Sequence, residues 1–276
     1  MTTHNLPQAI RHSWALRPRG TTIPDRATAS PQARLATHRR PTVRGLLAEW
    51  GPWICCMALM GMCEDGIPLA MRLYDPKKAT HYLFFGQDDG VLATLVEPIL
   101  YSMTVQEYGP EHWAFTIVSE ETTEWSVANS SHAKGLISPY ERDGRAVIPT
   151  FAGLMEQRSF GRHRGPKYVL VLHDIGEWWH TLDEDSHKDI IPLLRQGHEY
   201  GIHVVATLRY EQYDVLPREV RRLFQQKVYG YTNTEHLPNT TNFREIANLL
   251  YYELAPWQAW VSADGEWLRY TAPRVG

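Results

Sequence analysis

Apolar residues fall along the chain in two alternating patterns. Short continuous runs at His81–Phe85, Trp113–Ser119, Tyr168–Leu172, Ile202–Thr207 and Val228–Tyr231 predict strands buried on both faces. Between them lie longer stretches in which apolar positions return every three or four residues. These are Val91–Met103, Val147–Arg158, Ser186–Tyr200, Val215–Gln226 and Phe243–Tyr252, and they predict helices with one buried stripe. Two hairpins flank this series. The first joins the apolar run Trp53–Met60 to the alternating run Pro68–Tyr74 through Glu64-Asp65-Gly66. The second spans Gln258–Tyr270 and turns at Ala263-Asp264-Gly265. Residues 120–144 are a polar connection with little periodicity. Residues 1–44, rich in Pro, Thr, Ala and Arg, read as an extended arm.

Strands alternating with helices imply an α/β fold with a mostly parallel sheet covered on both faces. A chain of 276 residues suits one such domain with an extension, divided here into the arm, 1–44, and the domain, 45–276. The apolar run Trp50–Cys63 is broken by Gly51, Pro52 and Gly61 and is too short for a spanning helix, so no membrane span is expected. The three cysteines, Cys55, Cys56 and Cys63, crowd together. That excludes a disulfide framework or a spaced zinc site and points to the reducing cytoplasm.

Charge is distributed unevenly. Residues 1–44 hold eight arginines against one acid, Asp25, a balance of +7; since the chain totals −3, residues 45–276 carry −10. A basic arm on an acidic body can bind nucleic acid, an acidic partner or a neighbour's body.

The candidate chemistry sits where strands end. The first strand runs into Gly86-Gln87-Asp88-Asp89-Gly90-Val91-Leu92-Ala93, a Gly-bounded turn into a helix. The Tyr168–Leu172 strand ends in His173-Asp174. The segment Gly201-Ile202-His203-Val204-Val205-Ala206-Thr207-Leu208-Arg209 is a strand closing on Thr207 and Arg209. In this order and spacing the three segments resemble the FtsK/HerA-type P-loop motors over roughly residues 55–276. The resemblance implies a RecA-like fold with a small β hairpin before it and a C-terminal β hairpin, of which Gly265–Tyr270 is the closing strand.

The motifs depart from that pattern where the chemistry is done. A working phosphate loop needs G-x-x-x-x-G-K-[ST], with glycines freeing backbone amides, Lys neutralising phosphate and Ser/Thr holding magnesium. Leu92 stands in the Lys position, Ala93 in the Ser/Thr position and Val91 at the second glycine. Thr94 restores a hydroxyl only by a register slip. Asp88 and Asp89 face any bound phosphate with like charge, and two like charges about 4 Å apart repel by about 4 kcal/mol at an effective dielectric of about 20. Asp174 keeps the strand-end acid. Ile175 replaces the water-activating Glu, with Glu177 two residues on, and Leu208 replaces the polar sensor.

The expectation is a hydrolysis-deficient relative of these motors, a structural or regulatory subunit of an oligomeric assembly. It would form rings or stacks of itself or pair with related subunits, with no catalytic residue, no metal site and no cofactor. The alternative is an active ATP-dependent DNA or protein translocase using ATP and magnesium through non-standard motifs. His180, Asp183, Glu184 and His187 share a helical spacing that could ligate a metal, but Thr181–Asp185 reads as a polar linker and a solvated face is the preferred reading. Trp178 and Trp179 fit a cleft cover, an interface or the core.

Overall fold

The computed structural model describes residues 40–54, 57–73, 81–106, 109–120, 124–233, 254–263 and 266–276. The helix expected over Phe243–Tyr252, the turn at Asp264-Gly265 and residues 1–39 lie outside them. The strands are β1 (Met57–Cys63), β2 (Pro68–Arg72), β3 (Tyr82–Gly86), β4 (Trp113–Val118), β5 (Ala133–Ile137), β6 (Lys167–Leu172), β7 (Ile202–Arg209), β8 (Gln226–Gly230), β9 (Gln258–Ala263) and β10 (Glu266–Thr271). The main helices are α1 (Val43–Ile54), α2 (Asp89–Thr104), α3 (Val147–Ser159), α4 (Glu184–Gln196) and α5 (Arg218–Leu223).

All ten strands form one sheet in the order β2-β1-β10-β9-β8-β3-β7-β6-β4-β5. The six from β8 to β5 are parallel. The rest pair antiparallel. The chain steps from β3 toward β5, then returns through β6 and β7 to β8 on the far side of β3. Right-handed crossovers send helices from opposite steps to opposite faces. Accordingly α2 packs with Tyr82, Phe84, Phe115, Val169, Val171 and Val205. The helices α3, α4 and α5 pack with Leu83, Phe85, Leu170, Leu172, Val204 and Leu208 on the other side. This two-sided burial is why the central strands read as unbroken apolar runs.

Four expectations change. The helix α1 occupies residues expected as arm and first strand; its Val43 and Leu46 cover Met57, Leu59 and Ala70. Arg40, Pro41, Thr42 and Arg44, counted with the arm on charge, are tied to the body: Thr42 bridges Arg274, and Arg40 donates to the carbonyls of Ala272 at 2.8 Å and Pro273 at 3.1 Å. The connection 120–144 holds β5, an edge strand whose half-exposed pattern has no apolar run to announce it. The helix expected over Val215–Gln226 is confined to α5, because Pro217 starts it and β8 begins at Gln226.

At the N-terminal edge of the parallel strands His81 and His203 are almost fully buried. His81 Nδ1 accepts the Val204 N–H at 2.9 Å, so that nitrogen carries no proton and the ring is neutral. Burial holds His81 well below the ordinary histidine value and His203 down to about 3. The unfolded chain takes up these protons near pH 6.5 and the folded chain does not. Stability contributed by these rings is therefore intact above about pH 6.5 and declines as pH falls below it. Thermal unfolding followed from pH 7.5 to 5 should show a steadily falling Tm; a flat profile would contradict the assignment of both rings as neutral.

Candidate functional site

The parallel strands all end at one edge, the edge where open α/β sheets bind ligands. Two residues, Gln87 and Asp88, link β3 to α2. This is shorter than the loop expected over Gly86–Gly90, because Asp89 and Gly90 already belong to the helix. Asp88 has extended backbone angles, and its carboxylate accepts the Val91 N–H at 2.8 Å. The positive end of the helix is thus capped by the chain's own anion. The Gln87 N–H donates to the Tyr231 carbonyl at 3.0 Å, and Gln87 Oε1 accepts the Asn233 N–H at 2.8 Å. Leu92 N–H returns to the Asp88 carbonyl at 3.1 Å.

Leu92, at the Lys position, is fully buried in the core on the α2 face. It packs so closely under the strand end that a Cβ on Gly86 would lie 2.9 Å from its Cδ2. Gly86 therefore makes room for an apolar side chain. Val91 is buried in the same core, and Ala93 packs against it half-buried.

Because β7 lies between β3 and β6, its last residue stands between the Asp88–Asp89 pair and Asp174. Arg209 is the Cα partner of Gly86. Its Nε sits 2.8 Å from Asp174 Oδ2, a charge contact without hydrogen-bond alignment. Its other nitrogens reach Glu177 and, at 3.2 Å, Glu211. Gln212 Nε2 also donates to Glu177 Oε2 at 2.7 Å. The structure thus brings together Asp174, Thr207 and Arg209: Thr207 Oγ1 accepts the Asp174 N–H at 2.7 Å and lies 3.1 Å from His173 Nδ1.

Among the described residues Asp174 is the one non-glycine with positive φ, at 47°. Such backbone is costly outside glycine and gathers at functional sites. Burial is the main cause that raises the Asp174 carboxyl to about 6; Arg209 works against the rise, while Glu177, Asp89 and Glu120 add to it. Burial also lowers His173 to about 4. Tyr140 donates to Glu120 Oε1 at 2.5 Å, and that bond, with burial, raises its hydroxyl to about 12. His173 was named in sequence only as the neighbour of Asp174; Tyr140, Glu211 and Gln212 were not sequence candidates, and Glu120 read as a loop acid without a specific signal. Glu120 and Glu211 could have been found as acids just beyond predicted strand ends; nothing local marks Tyr140 or Gln212.

Other candidates resolve differently. Trp178 and Trp179 are core residues on the α4 face, with Trp178 Nε1 donating to the His173 carbonyl at 2.9 Å. Asp183 caps α4 through the Ser186 N–H at 2.7 Å, and His187 packs its ring on Trp179. No metal-holding group occurs among the described residues, and no described helix is long and apolar enough to cross a membrane.

No protein-family model matches the chain, and no curated protein matches it in sequence. Solved structures do. The chain resembles EccC (ATPases 2 and 3) of Thermomonospora curvata in complex with a signal sequence peptide, at 17% identity and TM-score 0.63, covering 94% of this chain and 46% of that one. The cytoplasmic domain of EssC matches at 16% identity and TM-score 0.60, over 87% of this chain and 48% of that one. The pCW3 conjugation coupling protein TcpA, in its monomer form with ATPγS, matches at 10% identity and TM-score 0.53, covering 83% and 80%.

The chain shares the α/β fold of these ATPases, with a large, mostly parallel sheet. The chain spans under half the length of the EccC and EssC chains above. The strand order puts the β3–α2 turn, Asp174 and Arg209 together at one edge of the sheet.

Arg209 compensates three neighbouring carboxylates, of which Asp174 is buried. Arg209→Gln should lower stability by about 2–4 kcal/mol, since it leaves a buried charge unpaired. In an Asp174→Asn background the same change should cost clearly less, because asparagine tolerates the left-handed backbone and carries no charge. Denaturant unfolding of the four proteins of the cycle measures the coupling. Equal costs in both backgrounds would mean that Arg209 does not serve Asp174.

Proposed function

We propose that this chain is a P-loop-ATPase-fold protein without hydrolysis, acting as a structural or regulatory subunit of an oligomeric assembly. One observation carries the reading: the Asp88 carboxylate occupies the helix terminus that would otherwise meet phosphate. Helix N-termini bind anions through free amides and the positive dipole end. Here the Val91 amide is taken by Asp88, the Gln87 amide by Tyr231, and the Lys position is a buried leucine. An incoming phosphate would have to displace one carboxylate and stand beside another, Asp89, with no lysine to neutralise it.

The water-activating position supports the same conclusion. Ile175 is fully buried and offers no base. Glu177, the nearest acid, is held by Arg209 and Gln212. Asp174, the acid expected beside magnesium, is already engaged by Arg209. The structural neighbours, among them a type VII secretion ATPase and a conjugation coupling protein, favour work within a larger machine. In our reading the body from about residue 45 builds the assembly in the cytoplasm, alone or with related subunits, and the basic arm supplies contacts to an acidic surface.

Melting with and without millimolar Mg-ATP tests this. A ligand at a hundredfold excess over its Kd stabilises the fold by about 2.7 kcal/mol, or about 5–10 °C for a chain of this size. No shift and no phosphate release are expected; a clear shift would overturn the nucleotide-free reading. Asp88→Ala should lower stability by about 1 kcal/mol through loss of the cap, measured by the same melts. Sedimentation should show species larger than a monomer, and a strictly monomeric chain at all concentrations would count against the assembly role.

A further inference from the structure

The crevice that the fold reserves for nucleotide is strongly acidic and has acceptors left over. Asp88, Asp89, Glu120, Asp174, Glu177 and Glu211 line the strand ends around Arg209, the one guanidinium paired with them among the described residues. Arg209 is already shared among three of them. The Asp174 side chain is only 9% exposed, yet its Oδ1 has no hydrogen-bond partner. Gln212 Oε1, on the residue that donates to Glu177, is likewise buried and unpartnered. Buried acceptors without donors are costly. Two of them beside a surplus of negative charge call for a cationic group with several N–H donors, which describes a guanidinium.

The chain itself holds such groups where they can reach. At Arg40 the backbone stands at this same edge of the sheet. Gly230, the end of β8, pairs with Ala259 near the start of β9, and Gln258 pairs with Thr271, the end of β10. Arg40 is bonded to Ala272 and Pro273 just beyond it, with its guanidinium 5.6 Å from the Trp257 ring. From β10 to β6 is five strand spacings, about 24 Å, which about eight extended residues cover. The 39 residues before Arg40 carry six arginines, no lysine and one acid, Asp25. Their balance of +5 equals the crevice's excess of negative charge, six carboxylates less Arg209.

We propose that the acidic crevice is the docking site of the chain's own basic segment, residues 1–39, which places arginine side chains against Asp174, Glu177 and Gln212 where the fold's nucleotide would sit. This rests on the nucleotide-free reading given above. The docking is in cis, within one chain.

The test uses the full-length chain with a photoreactive benzophenone amino acid at Ala27, beside Arg26. Crosslinks should map to the peptides carrying Asp88–Asp89, Glu120, Asp174–Glu177 and Arg209–Gln212. Their yield should fall about tenfold when Arg11, Arg17, Arg19, Arg26, Arg34 and Arg39 are all changed to Gln. It should fall comparably in Asp89→Asn/Glu177→Gln/Glu211→Gln, and at about 0.5 M salt, where surface charges are screened. The arginine changes leave the body untouched, so they decide the matter should the acid-side variant fold poorly. Crosslinks concentrated elsewhere on the body, or a yield indifferent to both sets of charges, would falsify the assignment. Crosslinks joining isotopically labelled to unlabelled chains would overturn docking in cis. Displacement of the crosslinks by Mg-ATP would uphold the crevice as the docking site while overturning the nucleotide-free reading.

Discussion

A helix that begins two residues after a buried strand presents its first amides at the sheet edge, and something negative has to meet them. That constraint organises this protein's crevice. The strand β3 is buried on both faces, and Gly86 is pressed against Leu92, so little freedom remains in the turn. Asp88 answers from within the chain, at a distance of 2.8 Å. Once a carboxylate fills that position, the lysine and hydroxyl that would handle phosphate have nothing to act on, and Leu92 and Ala93 join the packing.

The same edge gathers the negative charge of Asp88, Asp89, Asp174, Glu177 and Glu211. The strand order places Arg209 among the acids, and it holds Asp174, Glu177 and Glu211 together. One guanidinium is not enough for this group. The Asp174 oxygen that has no hydrogen-bond partner among the described residues, beside Glu177 and Glu211 on the same guanidinium, leaves room for a further donor. This is how one edge of the sheet motivates both proposals, a fold without hydrolysis and the docking of the arginine-rich segment.

How much of this was legible beforehand follows from the range of the forces involved. The central strands are buried on two faces, so their apolar runs are unbroken and visible in sequence; the alternation with helices then implied the parallel sheet. The edge strand β5 and the helix α1 were missed. Ala133–Ile137 buries little, while Trp50, Gly51 and Pro52 interrupt the helical pattern of α1. The replacement of the phosphate-loop lysine by Leu92 was legible as a letter in a motif. That Asp88 would turn inward as a cap, rather than outward as a repelling charge, depended on the helix starting at Asp89.

By itself the sequence determined the fold class, the positions of the strand-end motifs and the opposition of a basic arm to an acidic body. These depend on local composition and periodicity, which short-range burial imprints on the chain. Tertiary structure alone decided that Arg209 stands between Asp88 and Asp174, that Glu120, Tyr140 and Gln212 join them, and that the chain at Arg40 stands at the same edge. Each of those facts is set by strand order and crossover handedness, which bring together residues as much as 233 positions apart. No local pattern records such distances, because the energy that fixes them belongs to the packed sheet as a whole.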